Sequence, residues 1–150
     1  MKTTPEVKVR VQHRFDASPE RVFDAWLDPD RLGQWMFGPA IRDEEIVHLA
    51  LDARVGGTFS FRVRRQGEEI DHIGRYLEID RPRRLVFTWG IAADTPDMSR
   101  VVVEIAPLAS GCELTLTHEL HPDWTDYAAR TEAGWTKMLD ALARALAPRS

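Results

Sequence analysis

The feature that most constrains this chain is a series of apolar–polar alternations followed by one long amphipathic stretch. Phe59, Phe61 and Val63 alternate with Ser60 and Arg62, and Leu85, Phe87 and Trp89 are spaced the same way. Val101, Val103 and Ile105 repeat the pattern, as do Leu114, Leu116, His118 and Leu120. A period of two places such residues on one face of a strand. Gln66-Gly67-Glu68, Arg81-Pro82-Arg83 and Ser110-Gly111 read as the turns between segments, with a further strand from Glu69 to Ile79. Consecutive strands of this kind pair antiparallel, and their shared apolar face must be covered. From Trp124 to Ala147 the only breaker is Gly134, and Tyr127, Thr131, Trp135, Met138, Leu139, Leu142 and Leu146 recur at helical steps. No other element is long enough to do the covering. The spacing predicts an α+β chain in which a curved antiparallel sheet wraps around the C-terminal helix. Pro122 and Pro148 punctuate that helix on either side.

The N-terminal part completes the order. Val7, Val9 and Val11 alternate with Lys8, Arg10 and Gln12 as a half-buried strand. Ser18-Pro19 is a hydroxyl N-cap followed by proline at the first helical position. Arg21 stands where a capping box would need Glu or Gln, so that box is incomplete. Asp28-Pro29 repeats the start signal for a second short helix, which Gly38-Pro39 ends. Gly56-Gly57 suggests a bulge or close backbone approach. The predicted order is β-α-α-β-β-β-β-β-β-α, one domain over residues 1–150, with a space expected where the curved sheet meets the helix.

Composition narrows the function. At 150 residues with 43% hydrophobic and 29% charged side chains, the chain can bury an ordinary core. A net charge of −4 argues against a general nucleic-acid binder. The cluster from Arg81 to Arg84 reads as a solvated turn. No apolar run has the length of a membrane span, and Met1 to Glu6 lacks the apolar core of a secretory signal. A single cysteine, Cys112, rules out an internal disulfide and agrees with a reducing, cytoplasmic setting. No cofactor is expected, because phosphate-loop and dinucleotide glycine patterns are missing. No metal is expected either, for want of His or Cys at ligand spacing. Cys112 has no evident histidine partner and reads as a small buried residue.

Three blocks carry a family resemblance. The first is Ala17-Ser18-Pro19-Glu20-Arg21-Val22-Phe23-Asp24-Ala25-Trp26, with Asp28-Pro29 and Gln34-Trp35. The second comprises Arg54-Val55-Gly56-Gly57-Thr58-Phe59, His72-Ile73-Gly74-Arg75-Tyr76-Leu77-Glu78-Ile79 and Arg84-Leu85-Val86-Phe87-Thr88-Trp89. The third is Leu114-Thr115-Leu116-Thr117-His118-Glu119 with Gly134-Trp135 and Met138-Leu139. Together they resemble the bacterial branch of the family named for the activator of the heat-shock protein 90 ATPase, in the START-like (SRPBCC) helix-grip superfamily. The resemblance implies the helix-grip fold. It leaves function open, because this scaffold hosts carriers, cyclases, resistance proteins and chaperone partners.

Candidate site residues follow from the inward rows. Trp26, Trp35, Trp89 and Trp135 face inward; each ring either packs the core or walls a pocket, with Trp26 the least suited to the wall. Phe37 is expected at the lip, and Phe61 and Met138 along the wall. His72 and Tyr76 share a strand face, and His118 interrupts an apolar row. Each histidine is either a satisfied core residue or a polar handle or acid–base for a ligand. The leading reading is a binder of a small hydrophobic or amphipathic molecule such as a lipid or polyketide. The alternatives are an acid–base cyclase or hydrolase using the same pocket, and a chaperone-interacting stress-response protein. The chaperone-activating members work beside an additional domain for which this chain has no room. A homodimer is compatible with all three.

Overall fold

The computed structural model describes residues 7–38, 41, 43–91, 99–120 and 128–146. The elements are β1 (Val7–Phe15), α1 (Pro19–Asp24), α2 (Pro29–Trp35), β2 (Glu45–Leu51), β3 (Thr58–Arg65), β4 (Glu68–Asp80), β5 (Arg84–Ile91), β6 (Ser99–Pro107), β7 (Cys112–Leu120) and α3 (Ala128–Leu146). This is the expected order. The strands form one seven-stranded sheet, β1-β7-β6-β5-β4-β3-β2, and every neighbouring pair is antiparallel. The pair α1–α2 carries the chain from one sheet edge to the other. Of the expected long helix, Trp124 and Tyr127 lie outside the described residues, as do Pro39, Pro122 and Pro148.

Local chemistry explains the punctuation. Ser18 Oγ accepts from the Arg21 amide, and Asp28 Oδ1 accepts from the Asp30 amide, so both short helices begin on side-chain caps. The β3–β4 hairpin turns on Gln66 at φ 52° and Gly67 at φ 81°, the doubly left-handed geometry that matches strand twist. Gly56-Gly57 is the close approach expected: the Gly56 amide donates to the Tyr76 carbonyl at 2.8 Å, and the Tyr76 amide to the Gly57 carbonyl at 2.9 Å. A β-carbon on Gly57 would collide with the Asp52 carbonyl oxygen. This loop therefore pins the middle of β4, where the register with β5 shifts between Tyr76 and Glu78.

The two sheet faces divide by chemistry. Inward rows include Phe59, Phe61 and Val63 on β3, Val101, Val103 and Ile105 on β6, and Leu114, Leu116, His118 and Leu120 on β7, all buried. The face of α3 carrying Trp135, Leu139, Leu142 and Leu146 is buried with them in one core. Outward rows pair opposite charges across strands: Arg64 with Glu45 and Glu69, Arg62 with Asp71, Arg84 with Glu104, Arg100 with Glu119. Exposed pairs of this kind contribute little each and chiefly keep the outer face solvated. The arginine cluster behaves as a solvated turn, with Arg81 bonded to both carboxylate oxygens of Asp24 at 2.7 and 2.9 Å. That contact holds the Asp24 carboxyl below its ordinary range. Cys112 is buried and free, and burial pushes its thiol up.

Candidate functional site

The interior is built from aromatic rings contributed by four regions. Trp26 follows α1, Trp35 ends α2 and Phe37 lies just beyond it; β3, β4 and β5 supply Phe59, Phe61, Tyr76, Phe87 and Trp89; α3 supplies Trp135. The rings interlock. Trp26 meets Trp35 edge-on at 4.6 Å and Trp135 at 5.8 Å, and Trp89 meets Trp135 at 5.9 Å. Phe37 sits among Phe61, His72 and Trp89, at 5.6, 5.0 and 6.4 Å. Centroid separations in this range are those of favourable aromatic pairs.

The expected roomy pocket does not appear among the described residues. Between α2 and strands β3 to β5 the described residues leave a cavity of about 10 Å³, room for roughly one water molecule. Trp26, Leu32 and Met36 line it from the helical side, and Phe59, Phe61, Tyr76, Leu85, Phe87 and Trp89 from the sheet. A larger depression of about 500 Å³ runs along the outward side of α3 past Glu132, Lys137, Asp140 and Arg144. That one is open to solvent and charged, unlike the interior.

The sequence candidates separate accordingly. Phe61, Tyr76 and Trp89 line the small cavity. Trp35 is fully buried and spends its indole N–H on the Ala25 carbonyl at 3.1 Å, which makes it a brace between the two short helices. Phe37, expected at the lip, is only 2% exposed and plugs the interior instead. The reason is Glu44. Its buried carboxylate accepts from the Gly38 amide at 2.8 Å and from Arg65 at 2.7 and 2.9 Å, drawing the segment after α2 down onto the sheet. Gly38 itself stands at φ 107°, a conformation that glycine adopts without strain. Met138 packs at the edge of the core. Trp26, the least favoured tryptophan as a wall, lines the cavity after all, and Phe59 and Phe87 join it.

His118 is a satisfied core histidine. The Trp135 indole N–H donates to His118 Nδ1 at 3.0 Å, which fixes Nδ1 as acceptor and leaves the proton on Nε2. His118 Nε2–H then donates to Ser99 Oγ at 2.6 Å, and Ser99 Oγ–H donates to the Trp89 carbonyl at 2.8 Å. This relay ties α3 to β7, β6 and β5. Burial pulls the imidazole down to about 4, so it is neutral at neutral pH. His72 Nδ1–H donates to the carbonyl of its cross-strand partner Phe61 at 3.1 Å. Burial raises the Tyr76 phenol well above its ordinary value, so it stays protonated. Among the described residues, no three His, Cys, Asp or Glu side chains come together as a metal set. No described helix is long and apolar enough to cross a membrane.

A curved antiparallel sheet closed over one long helix, with an aromatic interior between them, defines a helix-grip domain of the START-like type. The chain belongs to the Activator of Hsp90 ATPase homolog 1-like protein family, whose profile matches residues 16–147. No curated protein matches it. Among solved structures, a Chromobacterium violaceum protein is similar at 29% identity and a TM-score of 0.83, covering 95% of this chain and 98% of that one. An AHSA1-like protein from Aeromonas hydrophila, solved by NMR, is similar at 26% identity and a TM-score of 0.76, covering 92% and 90%. A Nitrosomonas europaea protein shares the fold at 20% identity and a TM-score of 0.79, covering 93% and 94%.

Proposed function

We propose that this chain binds a small hydrophobic or amphipathic molecule between strands β3 to β5 and the helix α2. The supporting observation is the cavity beneath α2, bordered by aromatic and aliphatic side chains and by no charged one. Ligand pockets typically occupy about 300 Å³ or more, so the cavity of about 10 Å³ must widen when a ligand enters. Binding requires Phe37 and Met36 to swing away, and the ligand's rings or methylenes take over the contacts of Phe37 with Phe61 and Trp89. The observed affinity is then the intrinsic affinity scaled by the fraction of molecules in the open form.

The acid–base alternative is less well supported, since His118 has both ring nitrogens engaged within the core. A chaperone-facing role, which the family's name suggests, has no observation on this chain to favour it. The test is a fluorescence titration, because Trp26 and Trp89 border the cavity. Fatty acids, small aromatics and polyketides are added to the protein at micromolar concentration. A saturable change with at least one of these classes is the expected result. A flat response to every class up to millimolar ligand would refute the proposal.

A further inference from the structure

We infer that the polar group of the ligand is an uncharged carbonyl oxygen, held by the indole N–H of Trp26 and the hydroxyl of Tyr76; this rests on the binding reading above.

The inference starts from two donors. Trp26 is 3% exposed, and its Nε1–H is buried without a hydrogen-bond partner. Tyr76 is 2% exposed; its hydroxyl makes no hydrogen bond among the described residues, and its oxygen, unlike Trp26 Nε1, keeps a trace of solvent contact. The other buried polar groups are engaged: Trp35 with Ala25, Trp135 with His118, Glu44 with Gly38 and Arg65. A buried donor left unpaired gives up its hydrogen bond to water and receives none in return. A core shaped only for its own packing rarely leaves such a donor unpaired, and Trp26 and Tyr76 border the same cavity.

The donors select the chemistry. An indole N–H can only donate, and a protonated phenol can donate as well. Two donors on one cavity suit one oxygen with two lone pairs. A ketone, ester or amide carbonyl offers that. A carboxylate or phosphate would lose its hydration beside no lysine, arginine or histidine, since none lines the cavity. An ammonium head would meet no carboxylate there and would face the Trp26 donor. The cavity admits one atom of oxygen's size, while the aromatic rings beyond it suit the apolar remainder of the ligand.

The experiment compares three ligands of one chain length: methyl pentyl ketone, heptane and heptanoate. Protein labelled at nitrogen is titrated at neutral pH, following tryptophan fluorescence and the indole N–H signals. The ketone is expected to bind about tenfold tighter than heptane, the worth of two modest hydrogen bonds, and tighter than heptanoate. The Trp26 indole proton moves downfield with the ketone alone. Tyr76→Phe is expected to weaken ketone binding about threefold and leave heptane binding unchanged. Equal affinity for ketone and heptane, tightest binding of heptanoate, or a Trp26 signal unmoved at ketone saturation would overturn the inference while the receptor reading stands. Failure of all three ligands to bind overturns this inference, and the receptor reading falls with it only if the fatty acids, aromatics and polyketides of the broader titration are silent as well.

Discussion

Acidification should weaken this fold in a way that one side chain accounts for. His118 is held neutral in the core at about 4, against 6.5 in a free imidazole. Its Nδ1 accepts from Trp135, so a second ring proton would displace that bond as well as charge a buried ring. As pH falls, the unfolded chain takes up the proton first. The stability contributed by neutral burial is complete above about pH 6.5 and drains away as pH falls to about 4. A gap of roughly 2.5 pH units, at about 1.4 kcal/mol per unit, amounts to roughly 3 kcal/mol. The assay is guanidinium unfolding followed by far-ultraviolet circular dichroism at steps from pH 7.5 to 4, for the wild type and His118→Gln. Glutamine keeps an acceptor for Trp135 and a donor for Ser99 but does not titrate in this range. Carboxylates titrate in both proteins, so the difference between the two curves isolates His118. The wild-type curve should lose roughly 3 kcal/mol more than the variant. Parallel curves would refute the burial and the relay together.

Three further outcomes follow from the packing. Glu44→Ala removes the acceptor shared by Gly38 and Arg65 and should cost about 2–4 kcal/mol, read from denaturant midpoints; a change below about 0.5 kcal/mol would mean that the clamp is not formed. Gly74→Ala should prevent folding, or cost more than about 4 kcal/mol, because a β-carbon there lands on the Thr88 carbonyl oxygen and the Phe59 ring; soluble protein of ordinary stability would contradict that contact. Phe37→Leu shortens the plug among Phe61, His72 and Trp89. It should cost about 1–2 kcal/mol yet tighten ligand binding several-fold in the fluorescence titration, and unchanged or weaker binding would show that Phe37 does not occlude the site.

Much of the fold was legible because its signals are local. Alternation assigned the buried rows of β3, β6 and β7, the Ser18 and Asp28 caps set both short helices, and Gly56-Gly57 announced the contact with Tyr76. The interior was less so. Alternation says which residues face inward, but not which of them lie beneath α3 and which border the space under α2. Hence the small cavity is lined by Phe61, Tyr76 and Trp89, which patterning named, and also by Phe59, Phe87 and Trp26, which it did not favour. Glu44 gave no signal at all. It sits in the acidic run Asp43-Glu44-Glu45, which resembles a solvated turn, and its partner Arg65 is distant in sequence. The depth of Phe37 follows from that pairing, so the filling of this space was hidden too. Whether facing rings meet or leave a gap depends on tenths of an ångström, a scale that residue patterning does not reach.

The central claim is that the space between the sheet and α2 opens to admit an apolar guest. Intermolecular nuclear Overhauser effects, measured on the protein saturated with whichever ligand the titration selects, test this most directly. Cross-peaks from ligand protons to the rings of Phe59, Phe87 and Trp89 are expected. Cross-peaks confined to Ala133, Thr136 and Lys137 on the outward side of α3, or none at saturation, would contradict the account.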